Sequence, residues 1–382
     1  MKPLRIALFT YSTKPRGSVI HTLELADALH QLGQEVCIYA LDKDGSGFDW
    51  PIQCRYQPVP AQPAGANFDQ LIQQRIQELV NYLGNGHIAA QPYDCYHAQD
   101  CLTANALAML RHQNQIPHFL RTVHHIDEFN SSYLQQCQDR SIYEPDLCLC
   151  VSQYWQQQLQ QRYEVKALRV NNGINLKRFS DSPNGSETKL KHQLGLIGKP
   201  IYLTVGGIEP RKNSIRLLQA FANVLKPYPQ AQLVIAGGAT LFDYQTYRDD
   251  FFAEVDRLGV QIGQSLILPG VIPDADLPTL YRVADAFVFA SLKEGWGLVV
   301  LEAIASGLPV VVPNQAPFTE FLQPEQAVWV EPQSVESIVD AMVRAIKPGA
   351  VSIQPQQVCK QFSWSTSAKM HLDHYYTLLN YA

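Results

Sequence analysis

The sequence predicts an α/β protein built of two doubly wound parallel units, and three observations predict it. Short β-branched or apolar runs alternate with helix-length amphipathic segments over almost the whole chain, the pattern of parallel sheets covered by helices on both faces. The alternation stops at a polar, turn-rich stretch, Ser180-Asp-Ser-Pro-Asn-Gly-Ser186, and then starts again. The 382 residues, 46% of them apolar, suffice for two cores of ordinary size.

In the first half, strands are expected at 5–11, 35–40, 94–98, 118–123, 147–151 and 167–170. The clearest helix between them is 18–32, where Val19, Leu23, Ala26, Leu29 and Leu32 recur at helical spacing and Gly33 follows as a stop. Residues 42–65, with several Pro and Gly, read as a long surface loop. The Gln-rich stretches 135–138 and 156–161 carry enough apolar anchors, Trp155 and Leu159 among them, to be helices with an exposed face. Past Asn171-Asn-Gly-Ile-Asn175 and the polar stretch, a second series of strands is expected at 201–205, 232–236, 266–268, 286–290, 309–312 and 327–330, with a helix at 214–225. Residues 362–380 read as a terminal helix. The chain therefore divides into 1–178, 179–361 and a terminal segment 362–382. In such units ligands bind where strand carboxyl ends and helix N-termini converge, and a cleft between the two is the expected place.

Composition excludes some functions. Charged residues are only 17% and the net charge is −5, which gives no broad electrostatic grip on nucleic acid. No stretch approaches the roughly 18–20 apolar residues of a membrane span, so membrane contact is expected to be at most peripheral. The start of the chain runs from Met1 into the strand-like Ile6-Ala-Leu-Phe9 with no apolar leader, and a cytoplasmic location is expected. The eight cysteines are scattered; Cys148 and Cys150 would point to one face of a strand, and all read as reduced, buried thiols.

Four segments carry chemistry. The first is Glu294-Gly-Trp-Gly-Leu-Val-Val-Leu-Glu302, a strand-to-helix turn in which Gly295 and Gly297 permit close backbone approach. The amides of Leu298 and Val299 would open a helix whose N-terminus attracts phosphate, with Glu294 in the loop facing a sugar and Glu302 accepting from ribose hydroxyls. An isolated glutamate is as often a solvated one, but Glu302 lies on a largely apolar helix, where an acid needs a partner. The second is Val205-Gly-Gly-Ile-Glu-Pro-Arg-Lys-Asn213, where Arg211 and Lys212 follow a Gly pair at a strand's end and suit a departing diphosphate; a basic pair on a solvated loop is the plainer alternative. The third, Ser12-Thr-Lys-Pro-Arg-Gly-Ser18, is a turn at a helix N-terminus that lacks both the dinucleotide fingerprint and the P-loop. The fourth is Arg121-Thr-Val-His-His-Ile-Asp127, where His124 closes a strand and either orients a sugar or is a satisfied structural histidine. Adjacent histidines on extended chain point oppositely, which argues against a metal there.

Taken together, these segments resemble glycosyltransferase family 4, the retaining family with the GT-B fold, over nearly the full chain. Asp94-Cys-Tyr-His-Ala-Gln-Asp100 looks like the family's H-x-H-D strand, Thr122-Val-His124 like its T-V-H and Asn172-Gly-Ile-Asn175 like its N-G-V-D. Leu268-Pro-Gly270-Val271-Ile-Pro-Asp274, through Leu280 to Asp285, looks like the stretch that holds the nucleotide base, and Glu294 to Glu302 is the family's E-x7-E. Phe362-Ser-Trp364 and the last helix resemble the terminal segment that returns to the N-terminal domain. The resemblance implies two Rossmann-like domains facing across a cleft, the first for the acceptor and the second for the donor. It implies diphosphate contacts from Lys212 and the Leu298 and Val299 amides, sugar contacts from Glu294 and His124, a ribose contact from Glu302, and a contribution at Gly17. Gly207, Gly270, Val271 and Gly297 would complete the donor site. Three departures stand out: Gly207 occupies the usual arginine slot, which Arg211 would have to fill; Gln99 replaces the second histidine of H-x-H-D; and Ser18 replaces a common glycine.

The implied reaction is metal-independent, front-face transfer of a hexosyl-type group from a UDP- or GDP-sugar to an unidentified hydroxyl of a sugar, glycolipid or small metabolite. His124, Glu294, Lys212 and Arg211 are its candidate catalytic residues, no cofactor or metal is required, and domain closure would exclude water. The rival readings are a sugar-nucleotide epimerase of the same fold and a non-catalytic sugar-nucleotide binder. A glycan phosphorylase is disfavoured by the short chain.

Overall fold

The computed structural model describes residues 2–63, 65, 67–88, 92–238, 244–351 and 355–381. It forms two compact units, one of Met1–Gly173 with Phe362–Ala382 and one of Ile174–Gln361.

The first unit holds a seven-stranded, wholly parallel sheet in the order β3-β2-β1-β4-β5-β6-β7. Its strands are β1 Arg5–Thr10, β2 Glu35–Asp42, β3 Arg55–Pro60, β4 Cys95–Ala98, β5 Leu120–Val123, β6 Leu147–Cys150 and β7 Leu168–Arg169. The crossovers are α1 Gly17–Gln31, α2 Phe68–Tyr82, α3 Cys101–His112, α4 Ser132–Tyr143 and α5 Gln153–Tyr163. The second unit repeats the plan with six parallel strands in the order β10-β9-β8-β11-β12-β13. These are β8 Ile201–Val205, β9 Gln232–Ala236, β10 Leu266–Gly270, β11 Ala286–Val288, β12 Val310–Pro313 and β13 Val328–Val330. Its helices are α6 Glu187–Leu194, α7 Ser214–Val224, α8 Gln245–Leu258, α9 Leu277–Val283, α10 Leu298–Ala305, α11 Phe318–Phe321, α12 Val335–Ala345 and α13 Pro355–Cys359. The terminal α14, Trp364–Tyr381, belongs to the first unit.

Burial on both faces explains why the central strands read as continuous apolar runs: all of β9 and β12 is buried. The same polar device starts strands in both units. Asp94, just before β4, accepts from the Arg5 amide at 2.7 Å, and Asp285, just before β11, accepts from the Ile201 amide at 2.7 Å. Asp146 does the same for Phe119 beside β5 and β6 at 3.0 Å. In each case the aspartate's own amide returns a bond to the carbonyl of the residue it clasps, at 2.8–2.9 Å. A two-way clasp of this kind fixes register at the strand's first residue.

The strand order reverses between β1 and β4 in one unit and between β8 and β11 in the other. Loops leaving the carboxyl ends of those four strands therefore diverge and leave a crevice at each switch point.

Several expectations need correction. The loop expected at 42–65 contains β3, an edge strand paired with β2 from Cys37↔Arg55 to Asp42↔Pro60. Only Val59 of it is buried, and Pro58 and Pro60 sit where an edge tolerates them, so neither alternation nor apolar content marked it. The first unit ends at Gly173, not 178: Ile174 and Phe179 are buried and Phe179 packs edge-on against Tyr281 at 5.8 Å within the second unit. The terminal helix starts at Trp364 and is preceded by the short α13. Cys54 and Cys101 are half-buried, the other six cysteines are buried, and none of the eight is in a disulfide. Cys148 and Cys150 share one apolar cluster, as their spacing requires. Among the described residues no helix is long and apolar enough to cross a membrane.

Candidate active site

In the second unit the candidate residues gather on both sides of the switch point. Arg211 and Lys212 leave the end of β8, and Glu294 leaves the end of β11. The Glu294 Oε1 atom accepts three bonds, from Arg211 Nη1 at 2.7 Å, Lys212 Nζ at 2.8 Å and Ser291 Oγ at 2.7 Å. Arg211 Nη1 also reaches the Lys293 carbonyl at 3.0 Å, and the Leu292 amide donates to the Arg211 carbonyl at 2.9 Å, so the two loops are stitched by backbone as well. Lys212 Nζ lies 4.4 Å from the centre of the Phe289 ring, a cation–π contact. Burial would push the Glu294 carboxyl up. The Arg211 and Lys212 charges, with the Lys212 and Ser291 hydrogen bonds, outweigh it and hold the carboxyl at about 2. Burial lowers the Lys212 ammonium, with Arg211 adding to it and Glu294 opposing.

Glycine builds the floor. Gly237 has φ +156°, and a Cβ there would lie 2.5 Å from the Gly206 carbonyl group. A side chain at Gly207 would start 2.6 Å from the Gly238 carbonyl oxygen and 3.0 Å from Glu209 Oε1. The arginine slot is closed here by backbone. Gly270, φ +73°, ends β10, and the Val271 beyond it is exposed, with a methyl carbon 2.6 Å from where a Gly238 Cβ would be. Gly297, φ +98°, caps α10 in a conformation that side-chain-bearing residues rarely adopt, and Phe318 fills the space where its Cβ would point. Leu298 and Val299, half-buried, are the first two residues of α10 and turn their amides toward its open end.

Glu302, one helix turn further on, is buried and takes a hydrogen bond from Tyr281 of α9 at 2.7 Å. Burial raises its carboxyl; the Tyr281 bond and the Arg178 charge pull the other way. The partner such an acid needs is thus Tyr281, with the Arg178–Asp274 ion pair alongside.

The first unit holds Gly17 and His124. Gly17 opens α1 after β1, and a Cβ there would meet nothing within 4 Å. His124 follows β5, with Nε2 3.3 Å from Gln99 Oε1, while His125 turns to Asp127 at 3.1 Å. Beneath His124 lies a group of rings that the sequence reading did not bring together, although it quoted His97 in the H-x-H-D strand. His21 of α1 meets His124 edge-on at 4.7 Å, and His371 of α14 lies 5.7 Å from His21 and 5.8 Å from His97. His97 bonds Tyr375 Oη and Thr122 Oγ1, both at 2.8 Å. Carbonyl oxygens fix two tautomers: His21 Nδ1 faces Asn172 Oδ1 and His371 Nδ1 faces the Ser367 carbonyl, each at 2.8 Å, which leaves each Nε2 as a bare, buried lone pair. Burial is the main cause that lowers all four imidazoles, His21 to about 4 and His371 to about 3. Four separate helices and strands contribute these rings, so no local spacing announces them. Ser291 was missed for another reason: a lone serine after a strand carries no signal until its acceptor is known.

Comparison with known proteins agrees with this architecture. Glycosyltransferase Family 4 matches residues 15–178, and Glycosyl transferases group 1 matches residues 186–358. An uncharacterised glycosyltransferase of Methanocaldococcus jannaschii is 25% identical over 97% of this chain and 98% of its own. The alpha-monoglucosyldiacylglycerol synthase of Streptococcus pneumoniae is 29% identical over 81% of this chain and 70% of its own. Sucrose-phosphate synthase from Thermosynechococcus elongatus has a similar structure, with a TM-score of 0.78 at 22% identity over 99% of both chains. Anabaena HepE in complex with UDP-glucose gives 0.78 at 17% identity over 98% of this chain and 100% of its own. Such likenesses establish the two-domain GT-B fold. With that fold and matches that together run from residue 15 to 358, the chain belongs to glycosyltransferase family 4 and is an enzyme that transfers sugar.

Proposed function

We propose that this enzyme transfers a hexosyl-type group from a UDP- or GDP-sugar to a hydroxyl acceptor, with retention of anomeric configuration and without a metal ion. The observation that carries the reading is the convergence of Arg211 and Lys212 on Glu294 at the switch point of the second unit, beside the amino end of α10. The leaving diphosphate gains negative charge as the bond from the anomeric carbon to its oxygen breaks. Arg211, Lys212 and the Leu298 and Val299 amides are fixed donors for that charge, and take the place of a divalent cation. The acceptor hydroxyl bonds to the anomeric carbon on the face the diphosphate leaves, and its proton passes to the departing phosphate oxygen. Glu294, kept ionised by its two cations, contacts the sugar; Glu302 accepts from ribose; Gly207, Gly270, Val271 and Gly297 shape the nucleotide site. His124 contacts the transferred sugar, and Gly17 lies on the acceptor side. Eight cysteines outside any disulfide fit a reducing, cytoplasmic compartment, with membrane contact at most peripheral.

The test is a thermal-shift and calorimetric screen of the protein against UDP, GDP, ADP and their sugar conjugates, with Lys212→Ala and Glu302→Ala in parallel. One nucleotide should stabilise the protein, and each variant should weaken it by roughly 10- to 100-fold, the worth of a charge-assisted hydrogen bond. Absence of binding at millimolar nucleotide sinks the proposal. The anomer of the product, read by proton NMR, decides retention.

A further inference from the structure

Gln99 stands where the family pattern has a histidine, and its surroundings give that difference a chemical meaning. Its backbone amide is tied to the Phe9 carbonyl at 3.0 Å, across the switch point of the first unit, and it is 1% exposed. Its side-chain nitrogen lies 3.3 and 3.2 Å from the two ring nitrogens of His97, over the face of a ring whose in-plane sites are taken by Tyr375 and Thr122, and an electron-rich ring face suits the amide N–H and not its oxygen. The amide is thereby turned so that its oxygen meets His124 Nε2. An amide oxygen only accepts, so the nitrogen facing it carries the proton. A neutral imidazole protonated on Nε2 has a bare lone pair on Nδ1. The titratable groups that act on His124 are His21 of α1, His97 of β4 and, on its own stretch of chain, Arg121 and His125. All are bases, and none stabilises an imidazolium.

We propose that Gln99 is a positioning residue for His124: it accepts the Nε2 proton of a neutral imidazole and so presents Nδ1 as the acceptor for a hydroxyl of the transferred sugar. The sugar contact rests on the function proposed above; the tautomer does not. A histidine at this position could donate or accept and would leave the choice open, whereas glutamine settles it. Tyr375 gives α14 a part in the arrangement: it bonds His97, whose ring face the Gln99 amide nitrogen covers, while the Gln99 oxygen meets His124.

The experiment is long-range proton–nitrogen NMR on the full chain labelled with nitrogen-15 histidine, with His124 assigned by the peak lost in His124→Asn. The expected result is a single Nε2-protonated tautomer in the native protein and a mixture in Gln99→His. In Gln99→Glu the carboxylate should raise the His124 titration midpoint by roughly 1–3 pH units. A native Nδ1-protonated ring, or an unmoved midpoint in a Gln99→Glu protein that melts cooperatively, overturns the proposal. Turnover of UDP-glucose or GDP-mannose, whichever binds, should in Gln99→Glu fall as pH drops through the new midpoint. A flat pH profile with the expected tautomer overturns the sugar contact, while failure of every nucleotide to bind overturns the donor reading and leaves the tautomer standing.

Discussion

At the scale of single residues, Ser291 shows how one hydroxyl can organise a charged site. It is fully buried, and its one proton has three oxygens within reach: Glu294 Oε1 at 2.7 Å, the Arg211 carbonyl at 2.9 Å and the Lys293 carbonyl at 3.3 Å. The Arg211 carbonyl is already served by the Leu292 amide and the Lys293 carbonyl by Arg211, so the proton goes to the carboxylate. A hydrogen bond to a charged, buried acceptor is worth more than one between neutral groups. Ser291→Ala should therefore cost about 1.5–3 kcal/mol of stability at pH 7, measured by urea unfolding. Glu294 and Lys212 could be singled out in the sequence because the family motif and the strand-end position coincide there. Ser291 could not, because its role exists only once β11 and the Arg211 loop are side by side.

At the scale of elements, the turns after β8, β9 and β10 set the limits of the site. Gly237 and Gly206 touch through their backbones, and no side chain fits between them. Gly237→Ala should cost roughly 1–3 kcal/mol more than Gly259→Ala, a helix-terminal glycine with φ +67° where an added methyl group would meet nothing within 4 Å. Their urea midpoints read this difference, to which the steric contact and the less accessible φ of +156° both contribute. Elements with strong periodicity, such as α1 and the buried strands of both sheets, were legible because burial repeats along them. The edge strand β3 was not, since an exposed edge needs no repeating pattern and tolerates proline.

At the scale of the whole molecule, acid should loosen the first unit before it loosens the second. His21 titrates at about 4 when folded and near its ordinary 6.5 when unfolded. Between those values the unfolded chain binds the proton and the folded chain does not, so this contribution is complete above 6.5 and is lost as pH falls toward 4. For His21 alone that is on the order of 3 kcal/mol, and His97, His124 and His371 act in the same direction. Asp100, which burial raises to about 6, opposes them between 6 and 3.8, and Asp27, which burial also raises, acts with it, two groups against four. Urea midpoints taken from pH 7 to 4 should fall, and His371→Gln should flatten the slope; a slope unchanged in the variant would remove α14 from this account. The two-unit plan itself was readable from the restart of the strand–helix alternation, whereas the histidine group was not, because it brings residue 371 against residues 21 and 97.

The aspartate clasps at the strand starts also bear on how the chain finds this arrangement. They join residues 89, 84 and 27 positions apart. Closing the longest loop costs about 1 kcal/mol more chain entropy than closing the shortest. The Asp146 clasp, the most local of the three, is therefore the cheapest of them to form. The two clasps that define the switch points close over far longer stretches of chain, so the crevices that hold the candidate residues are assembled only after much of each unit is in place.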